Sequence, residues 1–391
     1  MSRKRKRTER TQPTQDLVEV VGDVAGAGRL ESARAAMRLL RGELRATQEE
    51  LGRALDVRGL MEEAARAIPA PPKWRGQRGR GKPRVSLLAL LGDLHIGEVT
   101  SPRETEEWGR YNHAIAEARV GRYVAALLRW VRVLRAGYRM DAADVVVLGD
   151  LISGDIHEEL MRSNEFPPPV QAIAAGRLVA GFASALAGAF GEVRVYGVSG
   201  SNHSRLTRGY QFKGGTLNSF DFVGMEYARA LLRGHGNVGV EVLGAKKMVQ
   251  RIRGYDFLVG HGDQVRAWMG IPWYGIERDL RREAVRRLAR IQEQIRRSAP
   301  VSGGMDYGLG GHWHAPFVGP SMRYLINGSL SGTNEYDHSA GRHAQPQQVA
   351  ALLSMNHGLF APIMFRLDDD SDAALEGRDS LAGILGGEAD G

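Results

Sequence analysis

Five short polar motifs constrain this chain more than any other feature, because each directly follows an apolar run or a glycine turn. They are GDLHIG (92–97), VVVLGDL (145–151), VSGSNHS (198–204), LVGHGD (258–263) and GGHWHAP (310–316). The runs Arg84–Leu91, Asp144–Leu148 and Val193–Val198 read as buried strands. Further strands are expected at Val238–Leu243, Lys247–Ile252, Phe257–Val259, Tyr324–Ile326 and Phe360–Arg366. Helical patterns at Asn112–Tyr138, Val170–Phe190 and Phe220–Leu232 alternate with them, which predicts a layered α/β fold. In open α/β sheets the C-terminal strand ends share one edge, and ligands bind there. The motifs recur every 51 to 59 residues, about one or two strand–helix units, so side chains remote in sequence would meet in one cleft.

The motifs carry Asp93 and His95, Asp150, Asn202 and His203, His261, and His312 and His314. A lone Asp-x-His or His-x-His is usually a turn beside a satisfied imidazole; five such pieces in order are harder to dismiss. None of the 391 residues is cysteine, which excludes disulfides, zinc–thiolate sites, iron–sulfur clusters and a cysteine nucleophile. Imidazole, carboxylate and amide oxygen without thiolate suit a borderline or hard divalent ion.

The order D-x-H, GD, N-H, GHG, G-H-x-H resembles the calcineurin-like metallophosphoesterase superfamily over roughly residues 85–366. The resemblance implies a four-layer α/β/β/α sandwich holding two divalent ions, Mn²⁺ foremost, with Fe²⁺, Zn²⁺ and Mg²⁺ as alternatives. It implies that Asp93, His95 and His314 bind the first ion and that Asn202, His261 and His312 bind the second. Asp150 would bridge them, and His203 would stand near the leaving group as general acid or transition-state stabiliser. Two ions about 3.5–4 Å apart clamp a phosphate and activate water for in-line attack. The motifs are also similar to the SbcD-type nuclease branch, and the layout to phosphoesterases encoded by bacteriophages. The chain departs from the family at Ser204, where an acid usually follows the histidine; Asp155, Glu158 and Asp263 are candidates to replace it.

The net charge of +8 is concentrated. Residues 1–14 hold six Lys or Arg against one Glu, and residues 71–83 hold five with no acid, so the remainder is slightly acidic. Such segments favour polyanions through counterion release, although a solubilising tail would look the same. Between the fourth and fifth motifs, Arg278–Arg297 reads as a helix with eight arginines and an apolar stripe of Leu280, Ala284, Leu288, Ile291 and Ile295. This insertion is expected to track phosphates, with Trp268, Trp273 and Tyr274 as stacking platforms. Arg205, Arg208 and His157 are candidate substrate contacts. Asp155 and Glu158 would join His157 at the cleft mouth, helix capping being the competing role for Asp155.

The expected organisation is a disordered basic tail (1–14), a helical or coiled-coil region (15–69), a basic Pro/Gly linker (70–83), a phosphoesterase domain (84–367) with an insertion (268–300), and a frayed acidic tail (368–391). Met37, Leu40, Leu44, Thr47, Leu51 and Ala54 step by four and three, the seam of a short coiled coil or helical hairpin, and point to a homodimer or to partner docking through this region. No apolar stretch backs the basic N-terminus and no run of about 18 apolar residues follows, so a cytoplasmic protein without membrane contact is expected. The functional expectation is a dimetal phosphoesterase cleaving phosphodiesters, a nuclease acting on DNA or RNA. A phosphomonoesterase acting on a phosphoprotein, nucleotide or small molecule comes second, and a non-catalytic nucleic-acid-binding subunit third.

Overall fold

The computed structural model describes residues 34–52, 81–207, 209, 213–267 and 272–376. The chain divides into two compact units, Met1–Gly79 and Arg80–Gly391. In the first, residues 34–52 form one helix, α1. Its seam residues Met37, Leu40, Leu44 and Leu51 are each more than half exposed. Ala54, the remainder of the expected helical region, the basic tail and most of the linker lie outside the described residues.

The second unit is built on two sheets. In the larger, β1 (Val85–Leu91), β2 (Ala142–Val147), β3 (Glu192–Gly197) and β4 (Val238–Val242) run parallel. The antiparallel strands β10 (Gln347–Ser354) and β11 (Gly358–Arg366) complete the order β11-β10-β1-β2-β3-β4. The smaller sheet runs β5-β6-β7-β9-β8. It comprises β5 (Lys247–Ile252), β6 (Tyr255–Gly260), β7 (Tyr307–Gly310), β8 (Phe317–Val318) and β9 (Tyr324–Ile326), with β6, β7 and β9 mutually parallel.

Alternation along β1 explains the stacking. Leu87, Ala89 and Leu91 enter a core shared with α2 (His113–Leu134) and α4 (Pro168–Ala187). Leu88 and Leu90 point the other way, into a core with Phe257, Val259 and Leu309 of the smaller sheet. A strand covered on both faces reads as a continuous apolar run, which is why β1 to β3 were legible. Helix α5 (Phe220–Leu231) joins the first core through Met225 and Ala228. On the far face of the smaller sheet, α6 (Pro272–Arg296) seats Ile276 and Leu280 against Tyr324 and Ile326. The result is a four-layer α/β/β/α sandwich, as expected. Two short helices, α3 (Glu158–Ser163) and α7 (Glu335–Ser339), flank the site end.

Some expectations need correction. Strands β7, β8 and β10 were not anticipated; each is short or mixed with polar residues and takes its strand identity from its neighbours. The stripe on α6 is not one buried face, since Leu280 packs while Leu288 and Ile295 are more than half exposed. Helix α4 is long and apolar enough to cross a membrane by length and composition, a segment the run-based reading did not count. Its Ala175, Val179, Phe182 and Leu186 are spent on the first core.

The acidic tail is not frayed over its first part. Asp372 is buried and accepts from Arg119 Nε and Nη2 at 3.0 and 2.9 Å, with Arg122 as a further partner. The fully buried Arg119 also donates to the carbonyls of Leu330 and Ser331 at 2.8 and 2.9 Å. Removing one partner of a buried pair strands the other charge at a cost of about 3–5 kcal/mol. Asp372→Ala should therefore lower unfolding stability by that order in a denaturant titration. Glu376→Ala, which breaks an exposed pair with Arg110, should cost less than about 1 kcal/mol.

Candidate metal centre

All five motifs leave strand ends on one side of the sandwich. Asp93 and His95 follow β1, Asp150 follows β2, Asn202 and His203 follow β3, His261 follows β6, and His312 and His314 follow β7. Backbone bonds tie these ends together: Asp93 N to Gly149 O at 3.0 Å, His95 N to Asp150 O at 3.1 Å, and Gly311 N to His261 O at 2.7 Å. The two sheets meet where His312 N donates to Asp93 Oδ1 at 2.9 Å. Gly311 is needed there, because a Cβ would stand 2.3 Å from Asp93 Oδ2.

Two donor groups result. Asp93, His95 and His314 each place a ligand atom within 4.8 Å of the others, and so do Asp150, His261 and His312. His95 Nε2 and His314 Nε2 face each other at 3.1 Å, and Asp150 Oδ2 lies 3.9 Å from His95 Nε2 and 3.0 Å from His261 Nε2. Asn202 Oδ1 is 3.1 Å from the same His261 nitrogen. The structure thus brings together all seven side chains singled out from the sequence as ligands.

The donors fit a cation. Leu148 O lies 2.9 Å from His261 Nδ1 and can only accept, so that nitrogen carries the proton and Nε2 offers a lone pair. The lone pair faces Asp150 Oδ2 and Asn202 Oδ1, both acceptors, an arrangement that is repulsive until a positive charge enters. Asp93 Oδ2 is buried without a hydrogen-bond partner. Burial opposes protonation of His261, yet the charge of Asp150 overrides it and raises the imidazole well above its ordinary range. His314 rises to about 9 in the same way, burial being outweighed by Asp337. Burial pushes Asp93 up to about 6 and drives His312 down to about 3. Protons gather where cations are wanted.

The backbone is strained at the same places. Asp93, His95, Asp150, His312 and His314 have φ of 51°, 46°, 44°, 73° and 56°, and are five of the twelve described non-glycine residues with positive φ. Such conformations cost of order 1–3 kcal/mol each and persist only where surroundings impose them.

Several supporting residues were not anticipated. His314 Nδ1 bonds Asp337 Oδ2 at 2.9 Å, and His95 Nδ1 lies 3.6 Å from Glu98 Oε2. Asn334 links the Glu98 carboxylate to the backbone of Asp337, donating to Glu98 Oε1 and accepting from Asp337 N. Carboxylates behind ligating histidines fix ring orientation and basicity. Glu98 stands three residues after His95, a helix-like spacing that could have flagged it, whereas Asp337 is brought in by tertiary packing alone.

None of Asp155, Glu158 and Asp263 meets His203. Its Nδ1 donates to Ser153 O at 2.8 Å, while burial holds the ring below its ordinary range against the pull of Asp150. The charge missing at Ser204 is supplied to the loop by Asp221. Its Oδ2 accepts from Ser201 N, Ser201 Oγ and Ser204 Oγ at 3.0, 2.5 and 2.7 Å, and its Oδ1 from Leu151 N at 3.1 Å. Ser201 Oγ in turn accepts from Asp150 N at 2.9 Å.

The remaining candidates scatter. His157 is exposed, with its ring 6.4 Å from that of His203, and is itself the N-cap residue of α3, so Asp155 does not cap that helix. Arg205 is half-buried beside the third motif and donates to Thr207 O at 3.0 Å. Arg208 and Trp268 lie outside the described residues. Trp273 is no free platform, being stacked on Phe317 at 4.2 Å; Tyr274 is exposed.

Neither a protein-family model nor a curated protein matches the sequence. Among solved structures, the chain is similar to Vps29 from Entamoeba histolytica complexed with zinc, at 12% identity and a TM-score of 0.24, over 72% of this chain and 99% of that one. It is also similar to the sulfate thiohydrolase SoxB of Thermus thermophilus, at 12% identity and a TM-score of 0.28, over 80% of this chain and 61% of that one. At such scores the likeness decides nothing, and side-chain geometry has to carry the chemistry.

Asp221→Ala would leave two backbone amides and two hydroxyls without their acceptor. It should cost roughly 3–5 kcal/mol in denaturant unfolding; an unchanged midpoint would show that the loop holds itself.

Proposed function

We propose that this protein is a dimetal-dependent phosphoesterase of the calcineurin-like kind, acting on the phosphodiester bonds of nucleic acid. The observation that carries the metal reading is the pair of donor groups, with acceptors facing lone pairs and five ligand residues held in left-handed backbone. Asp93, His95 and His314 would hold one ion, and Asn202, His261 and His312 the other. Asp150, 3.9 Å from His95 and 3.0 Å from His261, would lie between them. Bound there, two divalent ions, with Mn²⁺ the first to test, would supply electrophilic charge for a phosphate and lower the pKa of a water.

The chain's own residues do the rest. Asp337 and Glu98 hold the His314 and His95 rings in place, and Asp221 holds the loop that presents Asn202 and His203. His203 has spent Nδ1–H on Ser153 O, so Nε2 is the atom left to meet a substrate. Burial keeps it neutral until an anion arrives to favour its protonation, which suits a group that answers charge on a leaving oxygen. Support for nucleic acid comes from the two basic segments and from α6, whose Arg281 and Arg286 guanidinium groups are more than three-quarters exposed.

With Mn²⁺ present, the full chain should bind two ions and cleave oligonucleotides faster than p-nitrophenyl phosphate. Asp150→Asn should lose at least one ion in equilibrium dialysis and about 100-fold or more in rate. Full activity in that variant would overturn the dimetal reading; oligonucleotide binding without any cleavage by the parent would leave a non-catalytic binding protein, and monoester turnover without oligonucleotide cleavage would leave a phosphomonoesterase. The exposed α1 seam is proposed to pair with that of a second copy. Leu40→Glu with Leu44→Glu should convert a dimer to a monomer in sedimentation velocity, and an unchanged sedimentation coefficient would remove the idea.

A further inference from the structure

Beside the metal centre a cleft of about 570 Å³ is lined by Lys246, Lys247, Arg286 and Arg287, with the backbone of Gly214 and Gly215 on its other wall. Its basic residues come from two sources, the turn into β5 with that strand's first residue, and the middle of α6. A single carboxylate that is only 6% exposed, Glu283, organises three of them. Arg286 Nη1 bonds it at 2.7 Å, Lys247 Nζ stands 3.4 Å away, and Arg287 Nε 3.6 Å away. Asp279 also holds Lys247, at 2.9 Å. The fourth, Lys246, feels Arg205 as a like charge and Asp263 as an opposite one. Four basic side chains thus line the cleft against one lining carboxylate, Glu283, with Asp279 holding Lys247 and Asp263 and Asp221 acting on Lys246.

The cleft adjoins the catalytic loop. Gly200 has φ of +83°, and a Cβ there would stand 2.5 Å from Gly215 O and 3.2 Å from Lys246 Cε. Gly200 lies two residues before Asn202, so its Cα is within roughly 7.6 Å of that residue's Cα. Gln264, three residues after His261, lines the cleft as well. Both walls therefore continue into candidate ligand loops. Burial lowers Lys246 from its ordinary range, with Asp263 and Asp221 pulling it up and Arg205 pushing it down.

We propose that this cleft holds a phosphate flanking the scissile one, so that a single polynucleotide strand runs from the metal centre past Gly200 toward Arg286. The assignment rests on the phosphodiesterase reading above and adds the direction in which the strand leaves the site. A monoester has no second phosphate to place there.

The test is fluorescence anisotropy of a labelled 12-nucleotide single strand titrated with the full chain in EDTA, where no turnover occurs. Lys246→Gln with Arg286→Gln should weaken binding about tenfold or more, and the slope of log K against log salt should shrink by about 0.7, the value for one lost phosphate contact. Arg286→Gln alone changes a largely exposed guanidinium, so it should leave the fold intact and give half the slope change. Arg129→Gln with Arg132→Gln, exposed on the far helical layer, should bind as the parent does. Unchanged affinity in the Lys246/Arg286 variant, or an equal loss in the Arg129/Arg132 control, overturns the proposal. Inorganic phosphate that competes as tightly as the oligonucleotide would overturn it too, leaving a free-anion site. Because divalent ions are absent, a failure of the metal reading would show in the dialysis experiment and not here.

Discussion

Two carboxylates, Asp93 and Asp150, are almost fully buried at the ends of neighbouring parallel strands, and the site end of the molecule is organised around them. Placing like charges in a low-dielectric cleft is costly unless positive charge is brought to meet them. The surrounding imidazoles cannot all supply it, since burial and mutual repulsion drive His95 and His312 toward the neutral form. His261 and His314 are the two raised above their ordinary range, each by a carboxylate neighbour. The arrangement is balanced when cations of higher charge replace those protons.

Around this core the chain invests in rigidity. Five candidate ligand residues adopt backbone conformations that side chains ordinarily avoid, and hydrogen bonds to Gly149 O and Ser201 Oγ and from Ser329 N and Leu330 N hold three of them there. Glu98, Asn334 and Asp337 form a polar brace behind two of the histidines. Asp221 does the corresponding work on the opposite side, 17 residues along the chain from Ser204, where an acid was sought in sequence, and 2.7 Å from its Oγ. Pre-positioned donors are what electrostatic catalysis needs, because they avoid reorganisation while charge develops.

The sequence made the donor set legible for a simple reason. Strands buried on both faces appear as unbroken apolar runs, and the first polar residues after them stand at the sheet edge. The brace was hidden because Asp337 and Asp221 reach the site through helices whose placement depends on the finished fold. Left-handed backbone at Asp93 or His312 has no residue-type signature, since neither is glycine. Strand β10 escaped because Gln347 and Gln348 open it; buried Gln348 proves to be a side-chain bridge, bonding Gly92, Gly328 and Asn327 near the first motif. The cleft lysines went unremarked, Lys247 being read only as the first residue of a strand, while the arginines of α6, counted as a face, resolve into pairs with their own glutamates and a few that line the cleft.

The Arg119–Asp372 pair reaches further than the tail it anchors. The guanidinium also grips the carbonyls of Leu330 and Ser331, and Leu330 N donates to Asp93 O at 2.9 Å. Arg119 is made 253 positions before its counter-ion, so a nascent chain emerging from the ribosome carries every candidate ligand before it can lock the first of them. The tail contact that locks the first motif is thereby the last of these to be synthesised.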